Sequence, residues 1–190
     1  MMLKEKFSKR KILDLGCGDK KLSYKDRFPG YNFRGEVIGL DLNETDQTDV
    51  VCDLNKEKIP FKANTFDIVY AHHCLEHIEN IVDVLLGVHR VLKKGGYFLI
   101  RVPHVSYIDS TGDLTHVKLF SYGSLNFLIQ RDHAQLKNKE RFKLIKRKII
   151  FGRLYKSLGI EYLANRFPSI YNGFFTGIFI AREMHFELEK

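Results

Sequence analysis

The sequence predicts one α/β domain built on a mostly parallel sheet with helices on both faces. Three observations predict it. Short apolar runs alternate with amphipathic stretches as far as residue 131, the mark of repeated strand–helix–strand units. The first apolar run, Ile12-Leu13-Asp14-Leu15, passes directly into Gly16-Cys17-Gly18, and the next, Val37-Ile38-Gly39-Leu40, ends on Asp41. Finally, 190 residues that are 44% hydrophobic and 28% charged supply one adequate core and leave two full domains cramped.

Strands are predicted over Lys11–Leu15, Val37–Asp41, Val50–Cys52, Asp67–Tyr70 and Tyr97–Val102. Helical stretches fall near Lys20–Arg27, Cys74–His77 with Asn80–Leu92, and Ser121–Arg131. From Ile81 to Leu92 apolar residues recur at three- and four-residue spacing, as a helix packed on a sheet requires. Gly95-Gly96 stops that helix, with Lys93 and Lys94 near its negative end. After residue 140 the pattern changes. Phe142 to Phe151 and Phe175 to Glu187 both read as strands, joined by an insert that holds Pro168. Their return connection predicts an antiparallel pair at one edge. The domain is expected to span 1–190, with its core over about 11–131 and the edge pair and insert over about 140–190.

No apolar run reaches membrane-spanning length, and the longest candidate, Phe174 to Ala181, is interrupted by Thr176 and Gly177. Met1 to Lys11 is charged and lacks the apolar centre of a signal peptide. The three cysteines, Cys17, Cys52 and Cys74, cannot all pair, so a reduced, cytoplasmic setting is expected. The formal charge is +8, with much of the excess between Lys137 and Lys156. A solvated face explains that run; attraction to nucleic acid, a membrane surface or an anionic sugar is the functional alternative.

A strand running into a glycine turn, beside a strand ending on an acid, describes a nucleoside pocket at the carboxyl edge of a parallel sheet. A dinucleotide turn wants a third glycine where this chain has Lys21, and no Gly-Lys-Ser/Thr follows the glycines, which excludes a P-loop. Asp53, in Val51-Cys52-Asp53-Leu54, follows the third strand. There a carboxylate accepts from an adenine amine, or it merely caps the next turn. With Asp41 for the ribose, the pattern points to one adenosine without pyrophosphate.

These pieces continue in order through Ile59-Pro60-Phe61, Asn64-Thr65-Phe66-Asp67-Ile68-Val69, Leu75-Glu76-His77 and His89-Arg90-Val91-Leu92-Lys93-Lys94-Gly95-Gly96. Together they resemble the class I S-adenosylmethionine-dependent methyltransferases, of the methyltransferase domain 11 kind, over about residues 11–131. The resemblance implies a Rossmann-like seven-stranded sheet with an antiparallel last strand. It implies S-adenosyl-L-methionine as cofactor, with Asp14, Leu15, Gly16, Cys17 and Gly18 along the methionine part. Asp41 and Leu42 would hold the ribose, Asp53 and Leu54 the adenine, and His72 would line the methyl pocket. Many relatives have glycine at the position of Lys20, a departure next to the methionine carboxylate.

Methyl transfer from a sulfonium is an in-line displacement whose main need is alignment. A base is required only when the acceptor must lose a proton. His104 follows the fifth strand, and His116 closes Asp113-Leu114-Thr115-His116. These two histidines, with Asp113 to orient either one, are the candidate catalytic residues. The order Pro-His, Asp-x-Thr-His, Phe-Ser is similar to a subset of these enzymes associated with sugar, glycan or lipid modification. His73-Cys74-Leu75-Glu76-His77 also matches an inverted zinc-protease pattern. Its overlap with the family's Leu-Glu-His, the lack of a third ligand motif and the cysteine spacing all argue for no metal.

Because the first strand starts within a dozen residues of Met1, the acceptor wall is expected from the loop 103–120 and the aromatic insert 152–174. Packing of those aromatics on the sheet edge is the favoured expectation, and a lid over an apolar or sugar acceptor is the alternative. The expected acceptor is a small molecule, a glycan or a lipid-linked molecule methylated on O or N. RNA is a less favoured acceptor, since no Asn-Pro-Pro-Tyr-like motif or separate RNA-binding domain is present. From another class, the chain would be a cofactor-binding but inactive subunit supporting a partner protein. A monomer or homodimer is expected.

Overall fold

The computed structural model describes residues 10–22, 28, 30, 31, 33–129 and 141–190. Among them the strands are β1 (Lys11–Leu15), β2 (Glu36–Asp41), β3 (Val50–Val51), β4 (Phe66–His72), β5 (Leu92–Pro103), β6 (Lys143–Phe151) and β7 (Ala181–Glu189). They form one sheet in the order β3-β2-β1-β4-β5-β7-β6. From β3 to β5 every neighbour is parallel, and β7 runs antiparallel to both β5 and β6. The predicted antiparallel pair is therefore present, with β7 the reversed strand and β6 on the outside. Strand order changes direction at β1, which lies between β2 and β4. The crevice at such a switch point, above the carboxyl ends of the strands, is where open α/β sheets bind ligands.

Alternation along β1 assigns the two faces. Leu13 and Leu15 point into the main core with Val84, Leu85 and Val88 of helix α1 (Ile81–Val91). Ile12 points the other way and joins Ile68, Tyr70 and Leu99 under Leu22, Phe28 and Phe33. Helix α1 stops one residue before Leu92, whose ψ of 141° already belongs to a strand.

Some local expectations are corrected. Lys20, Lys21 and Leu22 are not helical, and the rest of the predicted helix over 20–27 lies outside the described residues. Cys74–His77 contracts to a single 3-10 turn over Leu75–His77. In place of a helix from Ser121, the chain makes turns and one 3-10 turn at Asn126–Leu128, while residues 130 and 131 lie outside the described set. Residues 175–180 are turn rather than strand, because the N–H groups of Ile178 and Phe179 fold back onto the Phe175 carbonyl.

Short helices follow both β5 and β6. Helix α2 (Ile108–Gly112) sits in the loop after β5, and α3 (Arg153–Ser157) and α4 (Ile160–Arg166) follow β6. Ala164 and Tyr171 of the insert reach the main core. Most of its other apolar side chains do not: Leu154, Tyr162 and Phe174 are 67%, 71% and 76% exposed. The favoured expectation that these aromatics pack on the sheet edge holds for Phe151 and Tyr171 and fails for Tyr162, Phe167 and Phe174.

Candidate active site

The turn after β1 is built from backbone groups. Gly16 and Gly18 have φ of 74° and 55°, a region that side-chain-bearing residues seldom adopt. The Gly16 and Cys17 N–H groups donate to the Leu40 carbonyl at 2.8 and 3.2 Å, which fastens the turn onto β2. A Cβ on Gly16 would fall 2.5 Å from Cys74 Sγ, whereas one on Gly18 would meet nothing within 4 Å. The first glycine is thus fixed by packing, and the second leaves an open approach to backbone.

Asp41 closes β2 with both oxygens in use and with lone pairs to spare. Oδ2 accepts from the Gly18 N–H at 2.8 Å and Oδ1 from the Asn43 N–H at 2.9 Å. Its position against the glycine turn is therefore set before any ligand arrives. Lys21, where a dinucleotide turn would have glycine, reaches Asp49 at 2.6 Å; Asp49 also accepts from the Gly39 N–H.

A cleft of about 370 Å³ opens above these strand ends. Gly16, Gly18, Asp41, Leu42, Asp53 and Leu54 line one side, and His73, Cys74, His77 and Ile78 line the other. Its size falls within the range of small-ligand sites. A larger cleft of about 730 Å³ lies along α1 and residues 54–63. It sits off the strand ends and lacks the glycine turn and Asp41, so the smaller cleft is the candidate site.

The predicted residues separate into those on the cleft and those behind it. Asp14 is buried, with Oδ2 accepting from the Leu22 N–H at 2.6 Å, so it closes the loop from beneath. Leu15 is core, and Cys17 turns its thiol toward the Gln47 carbonyl at 3.7 Å. Asp53 lines the cleft, yet Oδ1 caps the Asn55 N–H at 3.0 Å and Oδ2 pairs with Lys56 at 2.8 Å. These bonds hold its carboxyl below the usual carboxylate range. His72 does not line the cleft. It continues the Ile68–Tyr70 face of β4, with its ring 5.9 Å from that of Tyr70. The next residue, His73, has φ of 52° and swings onto the cleft instead.

On the acceptor side, His104 is fully buried. Its Nδ1 accepts from the Ser106 N–H at 3.1 Å, its backbone N–H donates to the Arg182 carbonyl at 2.9 Å, and its ring stands 6.0 Å from Tyr171. Burial pushes its pKa down to about 4. A ring with no exposed atom cannot touch an acceptor, so the expected catalytic role of His104 gives way to holding the loop after β5. His116 is mostly buried and close to the site: its ring lies 4.7 Å from that of His77, which lines the cleft. Its Nδ1 lies 3.1 Å from the Ser110 carbonyl, and its Nε2 is 3.7 Å from the exposed carboxylate of Asp113. Sequence reading missed a network behind His73. Glu183 of β7 receives Arg101 at 2.9 Å and His185 at 2.8 Å, with His73 Nε2 at 3.6 Å. Burial alone would raise the Glu183 pKa, but these donors outweigh it and hold the carboxylate well below its usual range. The signal for this network is register: Pro103 faces Glu183 and Arg101 faces His185 across β5 and β7.

Fold and cleft define an α/β protein with a ligand-sized cleft at the switch point of its sheet. The family model described as "Methyltransferase domain" matches residues 13–100. That match and the relatives that follow support a class I S-adenosylmethionine-dependent methyltransferase over the matched residues. It is 36% identical over 115 residues to an uncharacterized methyltransferase of Schizosaccharomyces pombe, a match covering 50% of this chain and 41% of that protein. It is 43% identical over 99 residues to a sterol 4-C-methyltransferase of Caenorhabditis elegans, covering 46% of this chain and 29% of that protein. The matched stretches thus span less than half the length of these relatives. Among solved structures, a SAM-dependent methyltransferase from Archaeoglobus fulgidus superposes with a TM-score of 0.63 at 20% identity, covering 97% of this chain and 88% of that one. That likeness concerns the fold.

Proposed function

We propose that this chain is a methyltransferase that takes its methyl group from S-adenosylmethionine and passes it to O or N of a small-molecule, glycan or lipid-linked acceptor. The observation that carries this reading is Asp41, held by the Gly18 and Asn43 N–H groups at the mouth of the cleft. In that position its remaining lone pairs meet both hydroxyls of a ribose. Gly16 and Gly18 let the methionine part approach backbone, Leu42 and Leu54 sandwich the adenosine, and Asp53 receives the adenine amine beside its bond to Lys56. Asp14, Leu15 and Cys17 serve from behind by shaping the turn. The sulfonium methyl then points toward His73, His77 and the loop 103–120, where His116 and Asp113 meet the acceptor.

The donor is its own leaving group, so the protein's main work is alignment and exclusion of water. Two observations support an apolar or lipid-linked acceptor over RNA. Leu114 is 97% exposed in the loop after β5, and Leu154, Leu158, Tyr162, Leu163 and Phe174 are exposed in the insert. By contrast, the basic residues of β6 are largely paired within the fold. Lys143 reaches Glu189 at 3.3 Å, Lys148 reaches Glu161 at 2.8 Å, and Arg147 bonds the Tyr122 carbonyl. No helix among the described residues is long and apolar enough to cross a membrane. The test is transfer of isotopic methyl from S-adenosylmethionine into a cell extract, separated into lipid, small-molecule and RNA fractions. Label in the lipid or small-molecule fraction supports the reading. Label confined to RNA overturns the acceptor, and cofactor binding without label in any fraction favours a non-catalytic subunit.

A further inference from the structure

We propose that Glu76, His77 and His116 form a binding site for one divalent transition-metal ion on the acceptor side of the cleft. One ligand atom from each residue lies within 4.8 Å of the other two. A cation held at about 2.0–2.2 Å from imidazole nitrogen and carboxylate oxygen would draw the three side chains together around it.

The carboxylate is the first independent pointer. Glu76 has no exposed surface, and no other described residue donates a hydrogen bond to either of its oxygens. The nearest cationic group is His73 Nδ1, 3.9 Å away. A buried carboxylate is costly unless paired, hydrogen-bonded or bound to metal. The backbone of Glu76 shows that its burial is organised rather than accidental, since its carbonyl accepts from both the Val117 and Lys118 N–H groups at 2.9 and 3.0 Å. The loop carrying His116 is thereby laced onto the turn carrying Glu76.

The histidines supply the second pointer. His77 Nδ1 lies 3.2 Å from the Thr115 carbonyl, and His116 Nδ1 lies 3.1 Å from the Ser110 carbonyl. A carbonyl only accepts, so both Nδ1 atoms carry the proton and both Nε2 atoms keep a lone pair. A backbone carbonyl that fixes the far nitrogen is the usual outer partner of a metal-bound imidazole. Asp113 braces the carbonyl partner of His77, with Oδ1 accepting from the Thr115 hydroxyl at 2.6 Å and from its N–H at 2.8 Å.

The other histidine–glutamate group, His72, His73 and Glu183, differs on the decisive point. There the carboxylate already receives Arg101 and His185. Two imidazoles and one carboxylate favour zinc, iron(II) or cobalt(II) over magnesium or calcium, which prefer all-oxygen sites. Three protein ligands also leave positions open for an acceptor oxygen. If the methyl-transfer reading above holds, the cation lowers the pKa of a bound acceptor hydroxyl and releases its proton to solvent. His116 is then a ligand, not the base.

Metal binding is tested without methyl transfer. Untagged protein is stripped with chelator and titrated with Co²⁺, followed by visible absorption, with Zn²⁺ as competitor. The expected result is one Co²⁺ per chain, displaced by one Zn²⁺. His77→Ala and His116→Ala should each weaken binding beyond the roughly 10–100-fold that loss of an outer partner costs. His72→Ala, whose side chain lies off the cleft, should leave it unchanged. Thermal melts of each variant confirm folding, and the two histidine variants decide the matter if Glu76→Gln fails to fold. No saturable site, or parental affinity in either histidine variant, overturns the proposal. S-adenosylmethionine calorimetry on the same stripped protein separates the two readings: cofactor binding without a metal site removes only this one.

Discussion

The donor side and the acceptor side of the cleft are made from different materials. The donor side is largely backbone: two glycines with positive φ, a carbonyl from β2 and one acid at a strand end, all within residues 14–43. The acceptor side is assembled from side chains far apart in sequence, with His77 meeting His116 and His73 meeting Glu183. A ligand-binding edge made of backbone accepts few substitutions, whereas a wall made of side chains can be refitted to a new acceptor on the same sheet.

Breaking the donor side should therefore have the larger effects. Gly16→Ala places a Cβ 2.5 Å from Cys74 Sγ at a φ of 74°. The expected cost is at least about 1–3 kcal/mol, read as a fall of several degrees in melting temperature. A melt within a degree of the parent would mean that the turn is not fixed as described. Gly18→Ala, with the same sign of φ but open space, should lose less stability and lose cofactor affinity instead.

On the acceptor side, Glu183→Gln leaves Arg101 without its charged partner. Both groups are partly exposed, which moderates the loss to about 1–2 kcal/mol. Cofactor affinity should change less than twofold in that variant; a tenfold loss would join the two sides and spoil the contrast.

The smallest effect is in pH dependence. His104 stays neutral in the fold down to pH about 4, against 6.5 for a free imidazole. A depressed histidine pKa contributes stability that is complete above 6.5 and is lost as pH falls toward 4. Glu76, whose pKa burial raises, tilts stability the opposite way as pH rises above 4.5. Comparing His104→Gln with the parent isolates the histidine: the difference in melting temperature should shift in the variant's favour between pH 6.5 and pH 4. A constant difference would refute the burial of that ring.

The same contrast explains what the sequence discloses. Strand–glycine–strand–acid is a local pattern, because backbone approach demands glycine and strand ends place acids at fixed spacing. Asp41, Gly16, Gly18, Leu42, Asp53 and Leu54 all reach the cleft as read from it. His72 was displaced by one residue, since the positive φ of His73 breaks the strand alternation. His104 follows the fifth strand as expected, but its burial depends on Tyr171 and Ala181, which are remote in sequence. The exposed apolar side chains of the insert and the meeting of His77 with His116 likewise depend on chain crossings that periodicity does not encode.

The central claim is that Asp41 holds the ribose of S-adenosylmethionine. Isothermal calorimetry of the parent and Asp41→Ala tests it most directly. The account predicts saturable one-to-one binding in the parent and a loss of about tenfold to a hundredfold in the variant, as expected for a charged hydrogen bond worth about 1.5–3 kcal/mol. Equal affinity in a folded Asp41→Ala protein, or no binding to the parent at millimolar cofactor, would contradict it.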